Sequence, residues 1–169
     1  MKSSLLGLLT RDAVKVAELE AIYARQGGSP GFAADAIWAM RQLDADLAWR
    51  AVWLLKRHAR EHPLAEADLL RIASCADEAT HWVSRLTLCQ MFSDTGWPAS
   101  ANDTVFPFLV ESFANRRVII RAWAVSALLR LKAHPKYREQ VTAILRKARA
   151  DSGKAMQARL RQLKKRNPS

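Results

Sequence analysis

The sequence predicts an all-α protein, and three features of its composition and patterning lead to this fold class. The chain has 169 residues, the length of one ordinary domain, and half of them are hydrophobic. Ala, Leu, Arg, Glu and Gln dominate the sequence, and these residue types favour helix by intrinsic propensity. Runs of Val, Ile and Thr bounded by turn residues are nearly absent, and the long apolar runs have helical periodicity instead.

One sequence pattern occurs four times along the chain. Each copy starts with an acidic residue or Asn, has an apolar residue five positions later and continues as an amphipathic run. The leading residues are 33, 38 and 36 positions apart, and they are Asp44, Asp77, Asn115 and Asp151. Each copy follows another apolar helical run, and these runs cover residues 32–43, 64–76, 105–114 and 137–150. Such pairs of helices joined by short turns are typical of solenoids, whose repeats stack to bury one continuous core.

The third copy carries the clearest family pattern. Its first run contains Pro107 and ends at Asn115, and Ile120 and Arg121 open its second run. This arrangement resembles the HEAT repeat, which has Pro in the first helix, a short Asp or Asn turn, and Val-Arg at the start of the second helix. The resemblance implies that Arg121 has a structural role between repeats rather than a role in ligand contact.

The resemblance covers residues 32–166 and implies an α-α superhelix of about four HEAT-like helical hairpins. An amphipathic run over residues 11–26 predicts one more helix, so we expect residues 1–31 to form an N-terminal capping helix and its linker. Residues 167–169 would be a short tail, and the whole chain, 1–169, a single α-solenoid domain. The tetratricopeptide repeat, with a period of 34 residues, is the structural alternative. The residues at the family's Arg position in the four copies are Arg50, Val83, Arg121 and Gln157.

The tryptophans are predicted to fill the core rather than to bind a ligand. Four of the six fall at or near inward positions of second helices, where a large ring fills space between repeats. A fifth, Trp38, lies in a first helix beside Ile37 and Met40. For these five, core packing is the favoured interpretation over a platform on which bases stack, whereas Trp97, in a loop beside Pro98, fits either interpretation. The four in second helices are Trp49, Trp53, Trp82 and Trp123.

Charge is divided steeply along the chain. Residues 1–115 carry 11 Lys and Arg against 14 Asp and Glu, a net charge of −3. Residues 116–169 carry 16 Lys and Arg against only Glu139 and Asp151, a net charge of +14. A terminal repeat needs a polar outer face but does not need one sign of charge, and crowding like charges costs stability. The division therefore favours a surface for an anionic partner over a merely solvated cap.

Six cations are the candidate contacts for this partner. They stand at or just before the starts of second helices, or continue the last one, and HEAT-like repeats usually place their second helices on the concave side. Arg146, Lys147 and Arg149 belong to a first helix and would lie nearer the opposite face. Nucleic acid is the leading partner because neutralising phosphates releases counterions, and an acidic protein surface is the next. The six are Arg116, Arg117, Lys154, Arg161, Lys164 and Lys165.

Motifs for catalysis or cofactor binding are weak or absent in the sequence. The string from His58 to His62 matches H-x-x-E-H, which supplies zinc ligands in one metalloprotease class, but it ends a helix before Pro63 and has no obvious third ligand. Gly-rich phosphate loops and nucleophile elbows are missing. Cys75 and Cys89 fall in apolar helical patterns and are predicted to be buried, reduced thiols. We therefore expect no cofactor, no metal and no enzymatic activity.

The location and function follow from these expectations. No apolar stretch is long enough to span a membrane, and the short apolar opening of the chain lacks a signal-peptide cleavage site, which predicts a cytoplasmic protein. The leading hypothesis is a non-enzymatic binding module whose basic C-terminal repeats engage an anionic macromolecule, with nucleic acid first. The alternative is a protein–protein scaffold that uses the concave groove. A HEAT-like DNA glycosylase is a third hypothesis and would require an exposed Asp between aromatic rings.

Overall fold

The computed structural model describes residues 2–166, and within this range the chain is helical and contains no β-strand. The predicted tail, residues 167–169, lies outside the described residues. The all-α fold class is confirmed. The first five α-helices are α1 (Lys2–Leu9), α2 (Val16–Gln26), α3 (Phe32–Gln42), α4 (Ala45–Ala59) and α5 (Glu66–Ser74). The other five are α6 (Trp82–Thr95), α7 (Asn102–Phe113), α8 (Val118–Leu128), α9 (Arg138–Ala150) and α10 (Lys154–Arg166).

The four predicted pairs of helical runs appear as α3 with α4, α5 with α6, α7 with α8, and α9 with α10. Pro107 lies inside α7 as predicted. Pro63 and Pro135 lie in the turns before α5 and α9, and each helix begins three residues later. No helix among residues 2–166 is long and apolar enough to cross a membrane.

The N-terminal segment contains two helices where the sequence predicted one. The predicted helix over residues 11–26 starts only at Val16, and a separate helix, α1, precedes it. Leu5 and Leu9 lie one turn apart on α1, and both are buried. Ala13, at a φ of 53°, is in the left-handed region that few residues other than glycine adopt, and it lies in the turn between the two helices. The apolar opening of the chain therefore contributes to the core.

The helices divide into two compact units, and the first comprises Met1–Leu88 and Trp97–Ala101. Its most extensive contact joins α3 to α4 across a two-residue turn, which makes this pair a hairpin. The outer helices α1 and α5 pack against α3, and α2 packs against α4. Glu20 pairs with Arg57, and one turn later Tyr23 donates to Glu61, so α2 and α4 run in the same direction.

The second unit comprises Cys89–Gly96 and Asn102–Ser169. Here α7 and α8 form the hairpin, and α10 packs along α8. A Cβ at Gly153 would come within 2.5 Å of Val118, at the starts of α10 and α8, and further along Arg159 bonds Ser126. The two helices therefore run in the same direction. Each unit thus contains two parallel neighbouring helices, α2 with α4 and α8 with α10.

Candidate nucleic-acid interface

All six cations predicted to contact an anionic partner are exposed. Two of them lie in the turn before α8, one is the first residue of α10, and the other three lie within α10. None of the six side chains is buried in the core, so all of them are accessible from solution. The six are Arg116, Arg117, Lys154, Arg161, Lys164 and Lys165.

On α10, three of these cations form a line along the outward side of the helix. Lys154, Arg161 and Lys165 are spaced i, i+7 and i+11, which places them on one face of an α-helix. The opposite face carries Met156 and Arg159, which are 0 % and 6 % exposed. Lys164 is exposed too but lies about a quarter of a turn away from the line. The line extends about 16 Å along the helix and presents three positive charges to solvent.

A single guanidinium holds the starts of α8 and α10 together. Arg121 donates from Nε and Nη2 to Oδ2 of Asp151, at 3.1 and 2.7 Å. Its Nη1 donates to the backbone carbonyls of Asn115 and Arg116, at 3.0 and 3.1 Å. The turn that carries Arg116 and the turn that precedes Lys154 are therefore tied to the same side chain. This is the structural role that the resemblance implied for Arg121.

The pKa of Asp151 is shifted in the direction that its pairing with Arg121 implies. The Arg121 hydrogen bond, and then the backbone N–H of Gly153, lower the pKa of Asp151 from its ordinary value, so this carboxylate stays ionised at neutral pH. Because Arg121 and Asp151 form an ion pair, the two residues together add no net charge to the surface around the turn. The exposed cations at Arg116 and Lys154 consequently dominate the charge at the starts of the two helices.

The polar residues that lead the copies of the sequence pattern differ in how they contact the backbone around their turns. Asn115 accepts from the backbone N–H of Arg117, and Asp151 accepts from that of Gly153, both two residues ahead. These are turn-forming contacts that precede the helix rather than contacts with its first free N–H groups. Asp44 is at the N-cap position of α4 but makes no side-chain cap bond. In these two turns, the short side chains of Asn115 and Asp151 shape the backbone before the helix.

The positive charge is concentrated in the second unit. Its residues include 16 Lys and Arg against five Asp and Glu, whereas the first unit has 11 of each. The second unit therefore carries a net charge of +11 and the first unit a net charge of zero. Charge on this scale attracts polyanions over a distance of several ångströms before contact is made.

The helix α9 carries further exposed cations, but in a different arrangement. Arg138, Arg146, Lys147 and Arg149 spread over the outward half of this helix, around Glu139. They do not form a single line like the one on α10. The exposed cations of the second unit thus include an ordered row on a second helix and a dispersed set on a first helix.

Nothing in the sequence distinguishes the buried Arg159 from the exposed cations beside it on α10. Its guanidinium lies over the ring of Trp123, with 3.6 Å from Cζ to the ring centroid. It donates to the hydroxyls of Ser126 and Ser93, at 2.5 and 3.0 Å, and to Gln162. Arg159 is buried, and it ties α10 to α8 and to the end of α6. It supports the surface without forming part of it.

The tryptophans lie nearer the surface than the sequence predicted. Trp82 is 41 % exposed, and the other five are half-buried, so none is a fully buried core residue. On α4, Trp49 and Trp53 lie opposite the buried face that contains Ala51, Leu54 and Leu55. The spacing that would have shown this was present in the sequence, because the two tryptophans are out of phase with the aliphatic residues of the same helix.

The side chains of the H-x-x-E-H string contact other side chains of the first unit. Glu61 accepts from Nη1 of Arg57 at 2.6 Å and from the Tyr23 hydroxyl at 3.0 Å, and the Arg57 bond chiefly lowers its pKa. His58 and His62 stack on each other, with ring centroids 4.7 Å apart. Among the described residues, no group of three or more His, Cys, Asp or Glu side chains could hold a metal ion.

Both cysteines are buried and unbridged. Burial raises the pKa of the Cys75 thiol to about 12, so the reactive thiolate is scarce at neutral pH. Cys75 therefore behaves as a small apolar core residue.

Comparisons with known proteins identify no relative from which a function could be carried over. The sequence matches no protein-family model, no curated protein and no solved structure. The function of the chain must therefore be inferred from its own residues.

Proposed function

We propose that this chain is a non-enzymatic binding module whose basic C-terminal part engages nucleic acid through its phosphates. The observation that carries the proposal is the exposed line of Lys154, Arg161 and Lys165 along α10, next to Arg116 and Arg117 at the start of α8. Lys and Arg that neutralise phosphates release condensed counterions, which gives affinity without any base-reading element. Binding through phosphates also fixes position without reading sequence, so the sequence preference is weak.

The proposed architecture is the α-α superhelix of HEAT-like hairpins. Two features support it: the parallel neighbouring helices within each unit, and the Arg121–Asp151 pair, which joins the turn before α8 to the turn before α10. Arg50, at the matching position of the first copy, donates to the carbonyls of Leu9, at the end of α1, and of Arg11, in the turn that follows. The Arg121 tie places the starts of α8 and α10 side by side, so the exposed cations at these starts share one binding side.

The alternative is a protein–protein scaffold, with the basic end serving an acidic partner. The dispersed cations of α9 fit a partner that wraps around the repeats, whereas the line on α10 fits an extended polyanion. The third hypothesis, a HEAT-like DNA glycosylase, would still require an exposed Asp between aromatic rings in the groove.

Charge reversal tests the proposal. The variant changes five exposed cations to Glu, and fluorescence anisotropy with labelled duplex and single-stranded oligonucleotides measures binding at 50 mM salt. We expect the unaltered chain to bind with a Kd of about 10 μM or tighter, in the range of electrostatic binding, and the variant to lose binding. The five changes are Arg116→Glu, Arg117→Glu, Arg161→Glu, Lys164→Glu and Lys165→Glu.

A matched control separates this surface from net charge in general. It reverses five other exposed cations of the second unit and so has the same net charge as the test variant. We expect it to keep most of the binding, and circular dichroism to show that both variants remain helical. Equal losses in the two variants would contradict an interface at α8 and α10. The five control changes are Lys132→Glu, Arg138→Glu, Arg146→Glu, Lys147→Glu and Arg149→Glu.

A further inference from the structure

The basic surface at α8 and α10 contains one row of exposed charges. The row starts in the turn before α8, continues at the neighbouring start of α10 and then follows the outward face of α10 for about 16 Å. Among the described residues, no member of the row forms an ion pair. Neither α8 nor α10 contains an Asp or a Glu, so the charges have no compensating anion on either helix. The members of this cation row are Arg116, Lys154, Arg161 and Lys165.

The residues beside the row on α10 are poorly suited to reading bases. A bidentate contact with adenine needs both the oxygen and the nitrogen of a Gln side chain. Gln157 already donates from Nε2 to the carbonyl of Asp151 at 2.5 Å, and Gln162 already accepts from Nη1 of Arg159 at 3.1 Å. Ala158, in the gap of the row, has no polar side-chain atom. The outward face of α10 therefore offers charge rather than base contacts.

The neighbouring helix α8 adds neither a second row nor a stacking platform. Its only cation is Arg121, which is paired with Asp151. Its only aromatic ring, that of Trp123, lies beneath the guanidinium of Arg159, with 3.6 Å from Cζ to the ring centroid. The two phosphate strands of a duplex lie on either side of grooves that are about 6 and 12 Å wide. A single row of cations therefore contacts one strand at a time.

This arrangement matches one chemical class of ligand, which is a linear chain of phosphates. Lys and Arg neutralise successive phosphates and release counterions, and these contacts carry no direct information about the bases. A lone phosphate group meets only part of the row, whereas a chain of phosphates meets all of it. Affinity therefore depends on the length of the phosphate chain and not on what the phosphates link.

We propose that the cation row binds a chain of linked phosphates whether or not this chain carries bases. The inference rests on the proposed function and deepens it, since it makes the phosphate chain itself the ligand. Inorganic polyphosphate is then a ligand of the protein, as single-stranded and duplex nucleic acids are. With 8–10 Å between packed helices the row spans about 25 Å, which about seven phosphates of a stacked strand cover.

The first experiment varies the ligand. Fluorescence anisotropy with the full protein at 50 mM salt compares a labelled dT strand with an abasic strand of the same length. The two affinities agree within about fivefold, because the bases make no contact. Inorganic polyphosphate displaces both strands, whereas inorganic monophosphate at the same phosphorus concentration does not. Affinity for dT rises with length up to about seven nucleotides and then levels off.

The second experiment varies the protein. The row variant changes four cations to Gln and weakens binding of the dT strand, the abasic strand and polyphosphate alike, by at least about tenfold. The control variant changes four other exposed cations of the second unit, has the same net charge and keeps most of the binding. Circular dichroism shows that both variants remain helical. The row changes are Arg116→Gln, Lys154→Gln, Arg161→Gln and Lys165→Gln, and the control changes are Lys132→Gln, Arg138→Gln, Arg146→Gln and Lys147→Gln.

Several results would overturn the cation row as a phosphate-chain site and leave nucleic-acid binding intact. These are a dT strand that binds more than about fivefold more tightly than the abasic strand, on the scale of base stacking, and polyphosphate that fails to displace dT. Equal losses in the row and control variants also overturn it. Tighter binding of an oligo-Glu peptide than of polyphosphate overturns it in favour of an acidic protein partner. Failure of the unaltered protein to bind any of these phosphate chains overturns the proposed function itself.

Discussion

At the scale of single residues, the arginines divide into structural ties and exposed charges. An Arg just after an inter-helix turn is a local signal, and Arg121 in this position ties the turn before α8 to Asp151. No nearby sequence feature predicts that Arg159 is buried. Its position depends on Trp123, Ser126 and Ser93, and Ser93 is 66 positions away in the sequence. Arg130 also donates to carbonyls near the end of α6, but its side chain stays exposed. Partners distant in sequence decide which cations face solvent.

Arg121→Ala should destabilise the fold by about 2–3 kcal/mol. The change removes four hydrogen bonds, two of them to the Asp151 carboxylate, and hydrogen bonds to charged groups are the strong ones. The urea midpoint measures the effect. Arg116→Ala, at the exposed neighbouring position, is the control and should change stability by less than about 0.5 kcal/mol. Similar midpoints for the two variants would show that Arg121 does not tie the repeats together.

His58 should make stability depend on pH. Burial and then the nearby His62 lower the pKa of His58, whereas a backbone contact with Gly27 and the charges of Asp68 and Glu61 oppose this less strongly. The unfolded chain therefore binds a proton at His58 more readily than the folded chain does. Stability should be kept above the unfolded pKa of about 6.5 and should fall as pH decreases below it.

The comparison with His58→Gln isolates this effect. Urea unfolding at pH 7.5 and 5.5 should show that the unaltered chain loses more stability on acidification than the variant does. A parallel decrease in both proteins would mean that His58 is not responsible for it.

At the scale of helices, the sequence predicted which segments are helical better than which way they face. Apolar periodicity and turn residues are local, so the four predicted first runs lie close to the observed bounds of α3, α5, α7 and α9, and a second helix follows each of them. The helix α1 was missed because its short apolar run resembled a targeting segment, although Leu5 and Leu9 pack into the core. The tryptophans of α4 were placed inward because large rings usually fill cores, but smaller aliphatic residues occupy the inward side of this helix.

The contact between α8 and α10 should depend on the ring of Trp123. Trp123→Ala should cost about 2 kcal/mol, less than the loss of a fully buried Trp, because the ring is half-buried but has the Arg159 guanidinium over it. Trp123→Phe should recover most of the loss. Chemical denaturation measures both changes, and Trp82→Ala, at an exposed ring, should cost less. A loss for Trp123→Ala no larger than that for Trp82→Ala would contradict the packing role.

At the scale of the whole molecule, charge is the property that the sequence revealed most directly. The division between −3 and +14 on either side of residue 115 requires only counting, and it predicted all six exposed cations of the candidate interface. Counting charge does not reveal the outward tryptophans of α4, because the first unit has no net charge. Their spacing relative to the aliphatic residues of the same helix does, and it agrees with the buried side of α4.

The most direct test of the central claim is the salt dependence of nucleic-acid binding by the unaltered chain. Anisotropy titrations with a labelled duplex at several salt concentrations give the slope of log K against log salt. Each neutralised phosphate contributes about −0.9, so three or more cations acting together predict a slope steeper than about −2.7. The five-residue reversal at α8 and α10 should remove this dependence together with the binding. A slope near zero, or no saturable binding at low salt, would contradict a phosphate-binding surface.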